Sequence, residues 1–310
     1  MIIVTGTIAY DYIMNFPGAF GDHVLPDQLH KINLSFIVDR FARRRGGTAG
    51  NVSYSLGLLG INHKLFSYAG KDFAEYKKAF RSLDIDLSGV KIDKKNYTST
   101  GFAMTDNTDN QIWGYFYGAS ENISKLQLSK VADKNDLVLI GPSGAKGSLS
   151  FVKQCIWEQI PYMFDPGFIL TQVDDTDLTD GIKHAKYIVG NDYEISLMKK
   201  RVKKWITLTK DKTIITTLGK KGAVITSEGR KLKIKPTLVK KVIDPTGAGD
   251  AWRAGFLTGL TKKFDLKTCG QMGSVAAAFA VEHYGTQEHD YSISEFKKRY
   301  SKTYRDVLDL

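Results

Sequence analysis

The chain has 310 residues, is 42% apolar and 25% charged, and carries a formal net charge of +11. That size and balance suit a soluble globular chain, 1–310, built as one large α/β domain. They leave out a membrane span, since no apolar run reaches about eighteen residues, and a disulfide framework or zinc site, since Cys155 and Cys269 stand far apart.

No signal-peptide core is present, and two buried thiols in a reducing cytoplasm are expected. The lysines are dispersed, the densest basic cluster, Arg40 to Arg45, is short, and no nucleic-acid motif accompanies it. A basic surface that draws polyanionic small molecules is therefore expected rather than nucleic-acid or membrane binding.

In chain order, Ile2–Thr5 reads as a buried strand. Thr5-Gly6-Thr7-Ile8-Ala9-Tyr10-Asp11 leaves it and ends in a carboxylate, which is a strong acceptor for sugar hydroxyls and also a common turn residue. Gly18 to Arg45 has little helical period. Arg45-Gly46-Gly47-Thr48-Ala49-Gly50-Asn51 is a glycine-rich turn before a helix. Its glycines let a ligand approach the backbone, and Asn51 donates and accepts as vicinal hydroxyls require. In the helix, Val52, Leu56 and Leu59 share a face. Leu65–Tyr68 reads as the next strand.

Thr98 to Ser120 reads as a hairpin, Thr100–Thr105 and Gln111–Tyr117 around a polar turn. With the stretch before Arg45 it forms either a small sheet closing over a site, with lid segments around 12–45 and 98–120, or a plain surface ribbon. Leu137–Ile140, Tyr162–Phe164, Tyr187–Val189 and Thr213–Thr217 read as further buried strands. Strands alternating with amphipathic helices give a mainly parallel sheet covered on both sides, with ligands beyond the carboxyl ends of the strands.

Gly141 to Ser148 has the composition of a P-loop, but its order is Lys-Gly-Ser rather than Gly-Lys-Ser. Asn191-Asp192-Tyr193-Glu194 follows a strand; Glu194 suits hydrated Mg²⁺, and acidic residues also favour a helix start. Thr217-Leu218-Gly219-Lys220-Lys221-Gly222 is a tight turn whose amides suit nucleotide phosphates, although a simple strand connection looks the same. A β-like run, Val239 to Ile243, leads into Asp244-Pro245-Thr246-Gly247-Ala248-Gly249-Asp250 and a helix from Ala251 to Leu260. A Gly-Ala-Gly turn at a helix start offers free amides to an anion, with Asp250 beside it as a base. That pairing points to phosphoryl transfer onto a hydroxyl.

Taken in order, these motifs resemble the PfkB (ribokinase-like) family of carbohydrate and nucleoside kinases. Gly46-Gly47-Thr48-Ala49-Gly50-Asn51 with Gly57 and Gly60 is similar to its first signature, and Asp244–Asp250 to its second. Asn191-x-x-Glu194 and Thr217-x-Gly219-x-x-Gly222 resemble two further elements. Within the family, Ala9–Met14, His23-Val24-Leu25-Pro26-Asp27, Leu34-Ser35-Phe36, Asp109–Ile112 and Gly285-Thr286-Gln287 are similar to the prokaryotic adenosine kinases.

The resemblance implies a ribokinase-like three-layer α/β/α fold with a small β-sheet lid. It implies transfer from ATP, with Mg²⁺, to the ribose 5′-hydroxyl of adenosine in purine salvage. A broad nucleoside kinase, a sugar kinase and a non-catalytic nucleoside-binding protein are the alternatives. Asp250 would be the base, and Gly247, Ala248 and Gly249 the anion hole. Thr7, Asp11, Gly47 and Asn51 would hold the ribose. Phe102 and Phe116 would sandwich the purine or pack the lid. Asn191, Thr217, Gly219 and Gly222 would line the ATP site, with Glu194 positioning Mg²⁺ through water. Asp244 and Thr246 match a site that binds a monovalent cation such as K⁺ in several members. Arg43 to Arg45 are either a solvated face or a phosphate contact, and the lid's edges leave room for a homodimer.

Overall fold

The computed structural model describes residues 1–23, 34–108 and 110–310. The part of the 23–27 run beyond His23, and Asp109, lie outside the described residues. The first elements are β1 (Ile2–Thr5), β2 (Ala9–Asn15), β3 (Arg40–Gly46), α1 (Thr48–Leu58), β4 (His63–Phe66), β5 (Tyr68–Gly70), α2 (Ala74–Arg81) and β6 (Lys91–Asp93). Then come β7 (Ser99–Thr105), β8 (Gln111–Phe116), β9 (Leu137–Ile140), α3 (Gly144–Trp157), β10 (Tyr162–Phe164), α4 (Asp175–His184) and β11 (Tyr187–Asn191). The rest are α5 (Asp192–Arg201), α6 (Trp205–Thr209), β12 (Thr213–Thr217), β13 (Ala223–Ser227), β14 (Arg230–Ile234), α7 (Ala248–Thr261), α8 (Leu266–Ala280) and α9 (Ile293–Tyr304).

The main sheet runs β14-β13-β12-β11-β10-β9-β1-β4. From β12 to β4 all neighbours are parallel, and β13 and β14 turn back antiparallel. Both faces of its central strands are buried, and β1, β9, β10 and β11 are accordingly near-continuous apolar runs. Side-chain alternation divides each strand between two cores. Ile2, Val4, Leu139 and Val189 pack with α1, α2, α7, α8 and α9, while Ile3, Val138, Ile140 and Ile188 pack with α3, α4 and α5. Three layers result. Both cysteines are free and buried, and burial pushes their thiols up to about 12.

A second sheet, β3-β2-β7-β8, stands apart from the first, and β5 and β6 form a short third one. Two expectations need correction. Leu65–Tyr68 is not one strand: β4 ends at Phe66 and β5 begins at Tyr68, so the chain passes from the main sheet to the small one. Val239 to Ile243 is not a strand, because β14 is already the sheet's edge. That run lies against the end of α8, with Ile243 N–H donating to Val281 O at 2.8 Å and Lys240 N–H to Glu282 Oε1 at 2.7 Å.

Helix α7 is held close to α8. A Cβ at Gly255 would lie 2.5 Å from Met272 O, and one at Gly259 would lie 2.7 Å from Cys269 Sγ. Backbones in such contact make a rigid mount for the residues at the start of α7.

Candidate active site

The glycine-rich turns gather at the carboxyl ends of the parallel strands, where open α/β sheets bind ligands. After β1, Thr7 N–H donates to Pro142 O at 3.2 Å, and Thr7 O accepts from Ala49 N–H at 3.1 Å. This fixes the first turn of α1 beneath β2. Gly47 sits at φ 83°, and a Cβ there would lie 2.5 Å from Thr7 O, so no side chain fits.

Asn51, buried in α1, donates from Nδ2 to Asp250 Oδ2 at 2.8 Å. Its Oδ1 accepts from Gln287 Nε2 at 2.9 Å. The same Gln287 nitrogen lies 2.6 Å from the Tyr76 hydroxyl, which donates to Gly46 O at 2.8 Å. The chain of bonds sets which end of the Asn51 amide faces Asp250. Asn51 and Asp250 were expected at the site; Gln287 and Tyr76 were not assigned to it. Burial pushes the Asp250 carboxyl up to about 6, against the lowering pull of Arg253 and the Asn51 bond.

Gly247, at φ 78°, caps α7. Ala248 N–H is engaged by Pro245 O at 3.2 Å and Ala251 N–H by Gly247 O at 2.9 Å. The amides of Gly247, Gly249 and Asp250 have no hydrogen-bond partner among the described residues. The free amides at the helix start are therefore offset from the Gly247–Ala248–Gly249 set expected from sequence. Free amides with the helix dipole behind them suit an anionic group.

The lid sheet brings Asp11 to the same place. In register, Asp11 lies beside Arg44, Gly101 and, one strand further, Tyr115. Its carboxylate lies where a Cβ of Gly46 would be, and 2.7 Å from where one of Gly101 would be. Burial and the nearby Asp250 push Asp11 up to about 6. Tyr115 shares this face: burial raises its phenol, as do Asp11 and Asp250. Trp113 is on the same side, and Phe168 and Tyr117 each lie 6.0 Å from the Tyr115 ring. Gln172 Nε2 donates to the Tyr117 hydroxyl at 2.8 Å.

Phe102 and Phe116 are not there. Phe102 pairs with Tyr12 and Gly114, and Phe116 with Thr100, so both project from the lid face opposite Asp11. Phe102 stacks on Tyr12 at 5.3 Å instead. A period of two puts neighbouring side chains on opposite faces. The expected purine sandwich of Phe102 and Phe116 is overturned, and Trp113 and Tyr115 occupy the site's side of the hairpin.

On the other side of Asp250 a cavity of about 630 Å³ opens. Thr217, Gly219, Gly222, Val242, Ala248 and Gly249 are among the residues that line it. Gly222 holds φ 87°, and a Cβ there would overlap Ile234 O. Asn191 is the N-cap of α5, not a cavity wall: Asn191 Oδ1 accepts from Glu194 N–H at 2.8 Å, and Glu194 Oε2 accepts from Asn191 N–H at 2.7 Å. Burial and Asp165 raise the Glu194 carboxyl. Asp244 ties loops together, accepting from Thr246 N–H at 2.9 Å and Gly285 N–H at 3.0 Å. Arg43 pairs with Glu75 at 2.6 Å, and Arg44 and Arg45 lie 3.7 and 3.6 Å from Glu288, so these arginines bind carboxylates of α2 and of the loop before α9.

Residues 8–292 match the pfkB family carbohydrate kinase model. The chain belongs to that family. It is 30% identical to the nucleoside kinase of Methanocaldococcus jannaschii, covering 92% of each chain, and the solved structure of that archaeal protein matches with a TM-score of 0.85 over 97% of this chain and 98% of that one. The nucleoside kinase of Burkholderia thailandensis in complex with inosine is 29% identical and matches with a TM-score of 0.90, covering 99% of this chain and all of that one. The same protein in complex with ADP-inosine is 32% identical, with a TM-score of 0.85 over 99% of this chain and 97% of that one. The layered sheet and separate small sheet are the ribokinase-like α/β fold of these pfkB members.

Proposed function

We propose that this pfkB-family protein is an ATP-dependent nucleoside kinase that phosphorylates the ribose 5′-hydroxyl, with adenosine as its acceptor. The observation that carries the reading is the position of Asp250. It lies beside the unspent amides at the start of α7, next to the cavity that Ala248 and Gly249 line, with Asn51 bonded to it and Asp11 and Tyr115 close by. Phosphoryl transfer asks the protein for alignment and charge stabilisation. Asp250 takes the hydroxyl proton, the α7 amides receive charge on the phosphoryl oxygens, and Asp11 with Asn51 holds the ribose hydroxyls. The apolar cavity takes the donor nucleotide, supported by the ADP-bound relative.

Mg²⁺ fits the donor chemistry here, because the Glu194 carboxyl offers only oxygen. Among the described residues no group of three or more His, Cys, Asp or Glu is placed to hold a metal. The fitting ion is thus one held mainly by nucleotide phosphates and water, with Glu194 nearby; when bound it neutralises phosphate charge. K⁺ at Asp244 and Thr246 is a proposal that a rate comparison in K⁺ and Na⁺ tests.

A second reading, a broad nucleoside kinase, is favoured by the inosine complexes of the relative. Coupled ADP release across adenosine, inosine, guanosine, cytidine, ribose and fructose separates them. Adenosine leading the series supports the first reading, equal nucleosides the second, and ribose or fructose ahead of every nucleoside contradicts both.

Two further results are expected. Tyr115→Ala should raise the nucleoside KM ~10-fold or more, within the 1–3 kcal/mol typical of base stacking, while Phe102→Ala stays within about threefold. Steady-state kinetics on both variants checks this. Activity should fall as pH drops below about 6, because protonated Asp250 accepts no proton and protonated Asp11 loses its charge. A pH–rate profile flat to about pH 5 contradicts that assignment.

Phe41, Phe102 and Phe116 lie exposed on the opposite face of the lid. This supports pairing with a second copy of the chain through the lid, and light scattering on wild type and Phe102→Glu decides it.

A further inference from the structure

A buried charge with no part in the chemistry above lies one turn into α7. Arg253 is 7% exposed. Its Nη2 donates to Asp165 Oδ1 at 2.6 Å, and its Nε lies 2.5 Å from Asp165 Oδ2. Asp165 directly follows β10 and is 1% exposed. The pair therefore bolts the start of α7 to the carboxyl edge of the main sheet.

Helical side chains lean toward the helix N-terminus, so Arg253 reaches back over the turn that precedes it. Its Nη1 lies 2.8 Å from where a Cβ of Gly249 would be, and makes no hydrogen bond among the described residues. The guanidinium thus packs against Gly249, beside the free amides of the anion site. Asp165, Asp250 and Glu194 all act on this one cation. A buried ion pair seldom stabilises a fold more than packed apolar side chains of the same volume, so stability does not account for its presence.

Resting on the kinase reading above, we propose that Arg253, held by Asp165, is a positioning residue for phosphoryl transfer. It seats the first turn of α7 beneath the phosphoryl site and supplies the positive charge that lets Asp250 act as base beside other carboxylates. The groups facing Asp250 are Asp11 from β2, Tyr115 from β8, Asp165 after β10, Glu194 from α5 and Arg253 from its own helix. Arg253 stands three residues on from Asp250, a neighbouring position on the helix surface, and its charge opposes the burial that raises the Asp250 carboxyl. Without it Asp250 holds its proton to higher pH.

The test compares wild type, Arg253→Met, Arg253→Lys and Asp165→Asn as full-length proteins. One measurement is kcat and KM with nucleoside and MgATP from roughly pH 5 to 9. The other is carboxyl ¹³C NMR titration of Asp250 without substrate, assigned by Asp250→Asn.

Arg253→Met should lower kcat at neutral pH ~100-fold and move the acid limb and the Asp250 midpoint up by about one pH unit, with nucleoside KM within about threefold. Arg253→Lys should return the limb toward wild type while recovering kcat only in part, because an ammonium lacks the planar fork that Asp165 holds. Asp165→Asn should lower kcat ~10-fold by loosening the guanidinium, without raising the limb.

A folded Arg253→Met with wild-type limb and kcat overturns the proposal. So does a loss of kcat that leaves the limb in place, or one that lysine does not relieve. If Arg253→Met does not fold, Asp165→Asn decides, and unchanged kcat there counts against the proposal. If the wild type phosphorylates no nucleoside, the kinase reading fails, and the NMR midpoint alone decides the role of Arg253.

Discussion

Asp250→Asn is expected to lower kcat at least ~100-fold, the lower end of general-base effects, with little change in nucleoside affinity. The amide keeps the shape of the carboxyl group and can still accept from Asn51, so the binding contacts persist while the proton acceptor is lost. A second effect has the opposite sign. Asp250 is pushed from 3.8 to about 6 in the folded protein, so folding disfavours its ionised form. The penalty is absent below about pH 4, grows as pH rises toward 6 and is complete above it. Asparagine carries no such penalty. Asp250→Asn should therefore be more stable than wild type near neutral pH, by on the order of 2 kcal/mol, and lose that advantage near pH 4. Thermal unfolding at both pH values, alongside kcat, checks the pair of effects. Near wild-type turnover by a folded variant removes Asp250 from the role of base.

Asp11→Asn should lower kcat/KM for nucleoside ~10- to 100-fold, mostly through KM, since hydrogen bonds to a charged group are worth about 1.5–3 kcal/mol. Gly46→Ala should reproduce this, because its methyl group would occupy the space of the Asp11 carboxylate. The double variant should be little worse than either single one, as both remove the same contact. Asp11→Asn should also move the acid limb of the remaining activity to lower pH, because it removes a like charge near Asp250. Additive losses in Asp11→Asn/Gly46→Ala, or an unchanged KM in Asp11→Asn, contradict the placement of Asp11.

The main sheet was legible because its strands are short apolar runs between amphipathic helices, and buried parallel strands require that pattern. The turns around Gly47, Gly219 and Gly247 were legible for a related reason: each needs a backbone conformation that glycine supplies. Asp250 followed from its place just inside a helix start.

What stayed hidden depended on register and on distance along the chain. Nothing in 99–117 tells which alternate residues share a side with Asp11; the answer lies in Asp11 pairing with Gly101 and, beyond it, Tyr115. Phe102 and Phe116 lie on the face of the lid away from Asp11. Val239 to Ile243 has strand composition, yet β14 already ends the sheet beside it. Asp165 and Arg253 meet across 88 positions, and Gln287 reaches Asn51 across 236. A carboxylate directly after a strand and an arginine on the buried side of α7 were the available signals, and neither names its partner.

The most direct test of the central claim is ³¹P NMR of the wild-type protein with adenosine and MgATP. A nucleoside 5′-monophosphate resonance should grow in step with ADP, and Asp250→Asn should suppress both together. ADP accompanied only by inorganic phosphate, a phosphate on another hydroxyl, or no new phosphorus resonance with any nucleoside would contradict it.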